Sequence, residues 1–126
     1  MTGDAGETDL ATLIAGMEPK LATGRYCFRM LGDAEAPPAD WFALIRETEG
    51  TSLIAPDTEG AWALMSLQIH SSLGAVGLTA AFSAALAAEG IPSNVVAGYR
   101  HDHLLVPWHK RDAALSALKR LAETAR

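Results

Sequence analysis

Residues 61–69, AWALMSLQI, place the tightest constraint on what this chain can become, because every odd position (Ala61, Ala63, Met65, Leu67, Ile69) is apolar. Successive side chains of a strand point to opposite faces, so a period of two puts a wholly apolar face on one strand. The even positions, Trp62, Leu64, Ser66 and Gln68, are mixed and define a less uniform second face. A strand of this kind needs another layer over its apolar side, and the following residues supply one. His70-Ser71-Ser72 interrupts the alternation. From about Leu73 to Glu89 the spacing becomes helical, with a stripe of Leu78, Phe82, Ala85 and Leu86 and a stop at Gly90. Small residues at Gly74, Ala75, Gly77, Ala80, Ala81, Ala84 and Ala85 let that helix lie close on a sheet.

Ser93–Tyr99 reads as a second strand. A reversal at Arg100-His101-Asp102 leads into a third, His103–Val106, which Pro107 ends because it lacks an N–H for the ladder. Lys110–Thr124 is expected to close the chain as a helix with Ala114, Leu115, Leu118 and Leu121 facing inward. Asp112 near its start and Lys119 and Arg120 near its end suit the helix dipole. The order is βαββα, one strand short of the ferredoxin-like unit. Arg25–Leu31, with Tyr26, Phe28 and Met30 on one face, is the expected donor of the missing strand.

Upstream, Thr8 or Asp9 can cap a short helix to about Gly16, in which Leu10, Leu13, Ile14 and Met17 recur at helical spacing until Pro19 ends it. Pro37-Pro38 makes residues 32–40 irregular. WFALIRE, from Trp41, is amphipathic enough to read as helix. The turn ending at Gly50 and the TSLIA run behind it favour a β-hairpin. The expected layout is therefore α+β, with a disordered leader over residues 1–7, an incomplete lobe over 8–60 and a second lobe over 61–126.

Length and charge narrow the function classes. A chain of 126 residues supports one compact domain or two very small lobes sharing a core. The net charge is −5, and it is uneven: residues 1–63 carry four Lys/Arg against eleven Asp/Glu, whereas residues 64–126 carry six against four. An acidic chain argues against grip on nucleic-acid phosphates. No apolar run reaches the roughly 20 residues that span a bilayer, and the polar, acidic start MTGDAGETDL does not have the form of a signal peptide. Cys27 stands alone, so no internal disulfide is available, and a reducing cytoplasm is the expected compartment.

Few positions carry chemistry. His70-Ser71-Ser72 lies where a strand meets the expected helix N-terminus, where free N–H groups and two hydroxyls suit a carboxylate; Ser71 or Ser72 could equally be a plain N-cap. Gly74-Ala75-Val76-Gly77 matches only the tail of a dinucleotide fingerprint, since Ser72 stands at the first glycine position, so close packing explains these glycines better. His101-Asp102-His103 could supply metal ligands, but it sits at a hairpin where polar residues are ordinary turn chemistry, and no third ligand is fixed by spacing. Cys27 reads as a structural thiol. Trp41, Trp62 and Trp108 read as core-edge or interface anchors. Lys110, Arg111, Lys119 and Arg120 read as a solvated helix face, and Glu47 and Glu49 as hairpin-turn residues.

The stretch ALMSLQIHSSLGAVGLTAAFSAALAAEGIPSNVVAGYRHDHLLVP, Ala63 to Pro107, resembles an ACT domain. WFALIRETEGTSLIAP upstream resembles the hairpin that precedes this unit in aspartate-kinase-type ACT regulators and animal arginine-sensing regulators. From Leu10 to about Leu121 the chain is similar to small stand-alone bacterial ACT-like proteins of unassigned function. The resemblance implies a ferredoxin-like βαββαβ fold with helices on one face of antiparallel sheets. It also implies a non-enzymatic regulatory module that binds a small amino acid and pairs edge to edge as a homodimer; no cofactor and no nucleic-acid or membrane partner is expected. Carried over by position, the ligand-lining residues would be His70, Ser71, Ser72 and Gly77, with Ser93, Asn94 and Val95; His101 and Asp102 could line the same pocket.

Overall fold

A computed structural model describes residues 6–126 of the chain. The elements follow in the order α1 (Leu10–Ala15), β1 (Pro19–Leu21), β2 (Tyr26–Met30), β3 (Ala43–Glu47), β4 (Gly50–Pro56), β5 (Trp62–Leu67), α2 (Leu78–Ala87), β6 (Asn94–Ala97), β7 (Asp102–Pro107) and α3 (Arg111–Thr124), with a 3₁₀ turn at Trp108–Lys110 before α3. The strands form one antiparallel sheet in the order β3-β4-β2-β5-β7-β6, and β1 also pairs with β5. The expected α+β, ferredoxin-like arrangement is what forms.

β5 is the axis of this sheet. On one edge it pairs with β7 from Trp62↔Pro107 to Ser66↔His103. On the other it pairs with β1 from Pro19↔Leu67 to Leu21↔Met65, and then touches β2 at Tyr26↔Trp62. The missing strand therefore does come from the first half of the chain, but Pro19–Leu21 supplies most of it. This short strand escapes a sequence reading because Pro19 serves both as the stop of α1 and as an edge residue that needs no N–H. Glu18, at φ 45°, makes the sharp turn between the two elements. Beyond Tyr26, β2 leaves β5 and pairs with β4.

The hairpin expected over residues 41–55 is present, with Glu47↔Gly50 closing it across Thr48-Glu49. Of the leader expected to be disordered over 1–7, residues 1–5 lie outside the described residues. Gly6 and Glu7 are seated, Glu7 forming a parallel bridge with Ser71.

The alternation in β5 is realised as packing. Ala63, Met65 and Leu67 are fully buried beneath the helices, together with Leu104 and Val106 of β7, Phe82 and Leu86 of α2, Leu13 of α1 and Leu118 of α3. α3 packs against both other helices. The opposite face curls over a second cluster of Ile54, Leu64 and Leu105, bordered by Tyr26, Phe42 and Trp62. Edge-to-face rings line it: Phe28–Trp62 at 5.4 Å, Phe42–His103 at 5.1 Å and Tyr26–Phe42 at 6.5 Å.

α2 ends as its sequence indicates. Gly90 at φ 70° donates to Ala87 O and Ile91 donates to Leu86 O, which is the Schellman pattern that turns the chain toward β6. The start of α3 differs from the expected solvated basic face. The guanidiniums of Arg25 and Arg111 stack on the Trp108 ring, 4.7 and 3.8 Å from its centroid, and tie β2 and α3 to the end of β7.

Phe82 is the largest fully buried side chain and joins α2 to the sheet. Phe82→Ala is expected to lower the unfolding free energy by about 3–5 kcal/mol, read as a reduced urea midpoint at unchanged slope.

Candidate functional site

β5 and β6 run in the same direction, with β7 antiparallel between them. The carboxyl end of β5, the carboxyl end of β6 and the start of β7 therefore meet at one end of the sheet, and α2 begins there on its way back to the start of β6. A cleft of about 190 Å³ opens at this junction, lined by Ser71, Ser72, Leu73, Ala75, Gly77, Leu78, Thr79, Ala97, Gly98 and Asp102.

Topology sorts the sequence candidates. Ser71, Ser72, Gly77 and Asp102 converge on the cleft. His70 and His101 flank it, the His101 ring lying with Nδ1 3.3 Å from Ile69 O. Ser93, Asn94 and Val95 are not brought there. Asn94 pairs with Leu105 and Val95 with Leu104, at the far end of β6. It is the end of that strand, Ala97-Gly98, that lines the cleft, because a crossover helix returns the chain to the start of the parallel strand, away from the helix's own N-terminus. That could have been read from the strand–helix–strand order itself.

The helix also starts later than its composition indicates, at Leu78 instead of Leu73. Ser72 Oγ accepts from Gly74 N–H at 3.1 Å, and Ser72 O accepts from Ala75 N–H at 3.0 Å, which closes a local turn instead of capping a helix. Gly77, at φ 103°, is the N-cap and offers no side chain to the first turn. The first intrahelical acceptor is Gly77 O, which receives Ala81 N–H. The N–H groups of the first turn thus have no partner within the helix and open toward the cleft that Gly77, Leu78 and Thr79 line. Neither Ser71 nor Ser72 is the N-cap.

Opposite this helix end stands Asp102. Its carboxyl is raised from the ordinary aspartate value, first by burial, against the lowering effects of His103 and of a hydrogen bond from Ser71. His103 is lowered, first by burial and then by the nearby His101, with Asp102 opposing. Its Nδ1 lies 2.6 Å from Ser66 Oγ on the neighbouring strand. Among the described residues no group of three or more His, Cys, Asp or Glu side chains is placed to hold a metal ion. His70 Nε2 is buried and has no hydrogen-bond partner among the described residues.

Outside the cleft, Cys27 is half-buried, and its thiol is raised by burial and by Asp57, which keeps it protonated and a poor nucleophile. Glu47 accepts a hydrogen bond from Ser52 within its own hairpin. Taken together, the cleft offers free N–H donors on one wall, a carboxylate on the other, and small apolar surfaces between them.

Two models of the ACT domain match the chain, one over residues 5–67 and one over residues 58–120. A crystal structure of a protein of unknown function from Vibrio cholerae, described as a possible transport protein, is 38% identical with a TM-score of 0.71, covering 86% of this chain and 92% of that one. A second, from Agrobacterium tumefaciens, is 20% identical with a TM-score of 0.69, covering 82% of this chain and 87% of that one, and shares the fold. No curated protein matches the chain significantly.

The raised Asp102 carboxyl has a consequence for stability. A carboxyl raised on folding binds its proton more readily in the native state, so its effect disfavours folding progressively as pH rises through its titration. Asp102→Asn is expected to gain in melting temperature relative to the unsubstituted chain as pH goes from 4 to 7, as followed by calorimetry at closely spaced pH values.

Proposed function

Because the chain belongs to the ACT domain family, a family of regulatory domains that bind small ligands, we propose that it is a non-catalytic regulator whose ligand is a small free amino acid held in the cleft between α2 and Asp102. The observation that carries this reading is the pairing of opposite polarity across one small space. The positive end of the α2 dipole and its free N–H groups suit the α-carboxylate, and the Asp102 carboxylate suits the α-ammonium. A cleft of about 190 Å³ corresponds to roughly six water volumes, which favours a short side chain against Ala75, Leu78 and Ala97. Burial of Asp102 strengthens its attraction for an ammonium group.

The two lobes, 8–60 and 61–126, would then be two ACT-like halves, and the two family matches, 5–67 and 58–120, fall close to that division. The regulator acts through a ligand-dependent change of assembly. No helix among the described residues is long and apolar enough to cross a membrane, and the single cysteine suits a reducing cytoplasm.

A second reading, an interaction module acting through its sheet face, is favoured by one specific feature. Met30, Ser52 and Ile45 form one cross-strand row, and Met30, Ile45, Phe28 and Trp41 are each 42–45% exposed. In either reading the chain self-associates, and a monomer by light scattering at micromolar concentration counts against that.

Thermal-shift titration with each of the twenty amino acids separates the two readings. A ligand at 100 times its Kd adds about 2.7 kcal/mol, a shift of several degrees, whereas an interaction module shows none. Asp102→Asn is expected to weaken the responding amino acid at least about tenfold, ~1.4 kcal/mol; Asn94→Ala, at the other end of β6, is expected to leave it unchanged. Affinity should fall as pH is lowered and Asp102 protonates. Since burial raises this carboxyl, the loss begins at a higher pH than for an exposed aspartate.

A further inference from the structure

We infer that residues 6–10 form a strap that clamps the 70–77 loop at both of its ends and thereby sets the shape of the cleft. At one end Glu7 runs parallel to Ser71: Glu7 N–H donates to His70 O at 2.9 Å, and Ser72 N–H donates to Glu7 O at 2.9 Å. Gly6 approaches so closely that a Cβ there would stand 2.5 Å from both Ser71 C and Ser72 N, so only glycine fits beside this backbone. At the other end the Leu10 side chain lies over Gly77, where a Cβ would meet its Cδ2 at 3.1 Å.

Between these points the strap is stiffened by its own hydrogen bonds. Glu7 Oε2 accepts the N–H groups of Thr8 and Asp9, both at 2.9 Å, and Asp9 Oδ2 accepts Thr12 N–H to cap α1. α1 is in turn packed against α2 and α3. The strap is therefore anchored in the core at Leu13 and reaches outward to the loop. Within the loop Ser72 accepts from the N–H groups of Gly74 and Ala75, and the side chains of Leu73 and Val76 reach outward, 60% and 83% exposed. The residues clamped, Ser71, Ser72 and Gly77, are three that line the cleft, so a ligand that requires this loop conformation and a strap that enforces it must stabilise one another.

The ligand half of this inference rests on the amino-acid reading above; the clamp itself does not. The experiment is amide hydrogen exchange by NMR on the full chain and on its Gly6→Ala and Leu10→Ala variants. Each is recorded with and without a mixture of glycine, L-alanine and L-serine. Glu7 and Ser72 amides are expected to be protected in the unsubstituted chain. Each variant is expected to speed exchange at Ser72 and Ala75 at least about tenfold while leaving the Leu64 and Leu105 amides unchanged, which shows that the fold persists. The mixture is expected to slow exchange at Ser72 about fivefold in the unsubstituted chain and less than twofold in Gly6→Ala.

Exchange at Ser72 and Ala75 that is indifferent to both substitutions overturns the strap. Protection by the mixture that is equal in the unsubstituted chain and in Gly6→Ala overturns the coupling between strap and ligand while leaving both the clamp and the amino-acid reading standing. Loosening of the loop by the variants with no response to the mixture supports the strap and counts against a small amino acid as ligand.

Discussion

The structure depends on β5 being paired along both edges while its two faces are buried by different means. With β7 on one side and β1 and β2 on the other, β5 has no free edge, and its odd side chains fill the space under the helices. Its even side chains meet the second cluster, in which Leu64 packs with Ile54 and Leu105. A one-residue slip would move Met65 and Leu67 out of the helix-side core and bring Ser66 into it, so the register of β5 fixes the register of its neighbours. Everything at the cleft is counted from there: Ser71 lies four residues beyond the end of β5, and Asp102 is the first residue of β7.

Small side chains let the two halves of the chain share this axis. Ala63 of β5 and Ala114, Ala117 and Ala122 of α3 are all buried in the helix-side core. They allow three helices to crowd over a sheet to which each half of the chain contributes strands. The few large residues then serve as joints. Trp108, stacked by Arg25 and Arg111, connects the end of β7 to β2 and α3, and Arg25 Nη1 reaches Gly60 O at 3.2 Å in the segment that links the two halves. Most of the acidic excess of residues 1–63 lies elsewhere on the surface. Among the described residues it forms one ion pair, Arg29–Glu35, within the first half, and the Arg29 guanidinium holds Glu35 at about 2.

Much of this was legible in the sequence where a period was long enough to speak. β5, β7, α3 and the 43–56 hairpin follow from alternation, turn residues and stripe, and Gly90 ends α2 by a bond pattern that its neighbours allow. Two elements were hidden by double use of one residue. Pro19 both stops α1 and begins β1, and three residues of strand leave no alternation to detect. Ser72 carries the composition of a helix cap but spends its hydroxyl on Gly74 N–H, and the left-handed φ of Gly77 moves the start of α2 five residues onward. The strand-to-helix junction at Ser71-Ser72 was legible for a local reason, and both residues line the cleft. The misplacement of Ser93–Val95 was a matter of direction along a strand, which composition does not encode and handed crossover topology does.

The late start of α2 carries the chemistry of the site. Had Ser71 or Ser72 capped the helix, its first N–H groups would be satisfied internally and the cleft would be filled by the additional turn. Instead, a glycine with no side chain stands at the N-cap, and the backbone from 73 to 77 loops outward with Leu73 and Val76 exposed. Across from it a carboxylate is retained where burial disfavours its charge. Both choices work against stability: a glycine N-cap forgoes a few tenths of a kcal/mol relative to a capping side chain, and a half-buried aspartate opposes its own ionisation. Two unfavourable arrangements of opposite polarity line one cleft of about 190 Å³, and it is this pairing that the proposed zwitterionic ligand would offset. The strap adds to this arrangement: residues 6–10 hold the loop from outside its own sequence, through the Glu7 bonds to His70 and Ser72 and the Leu10 side chain over Gly77.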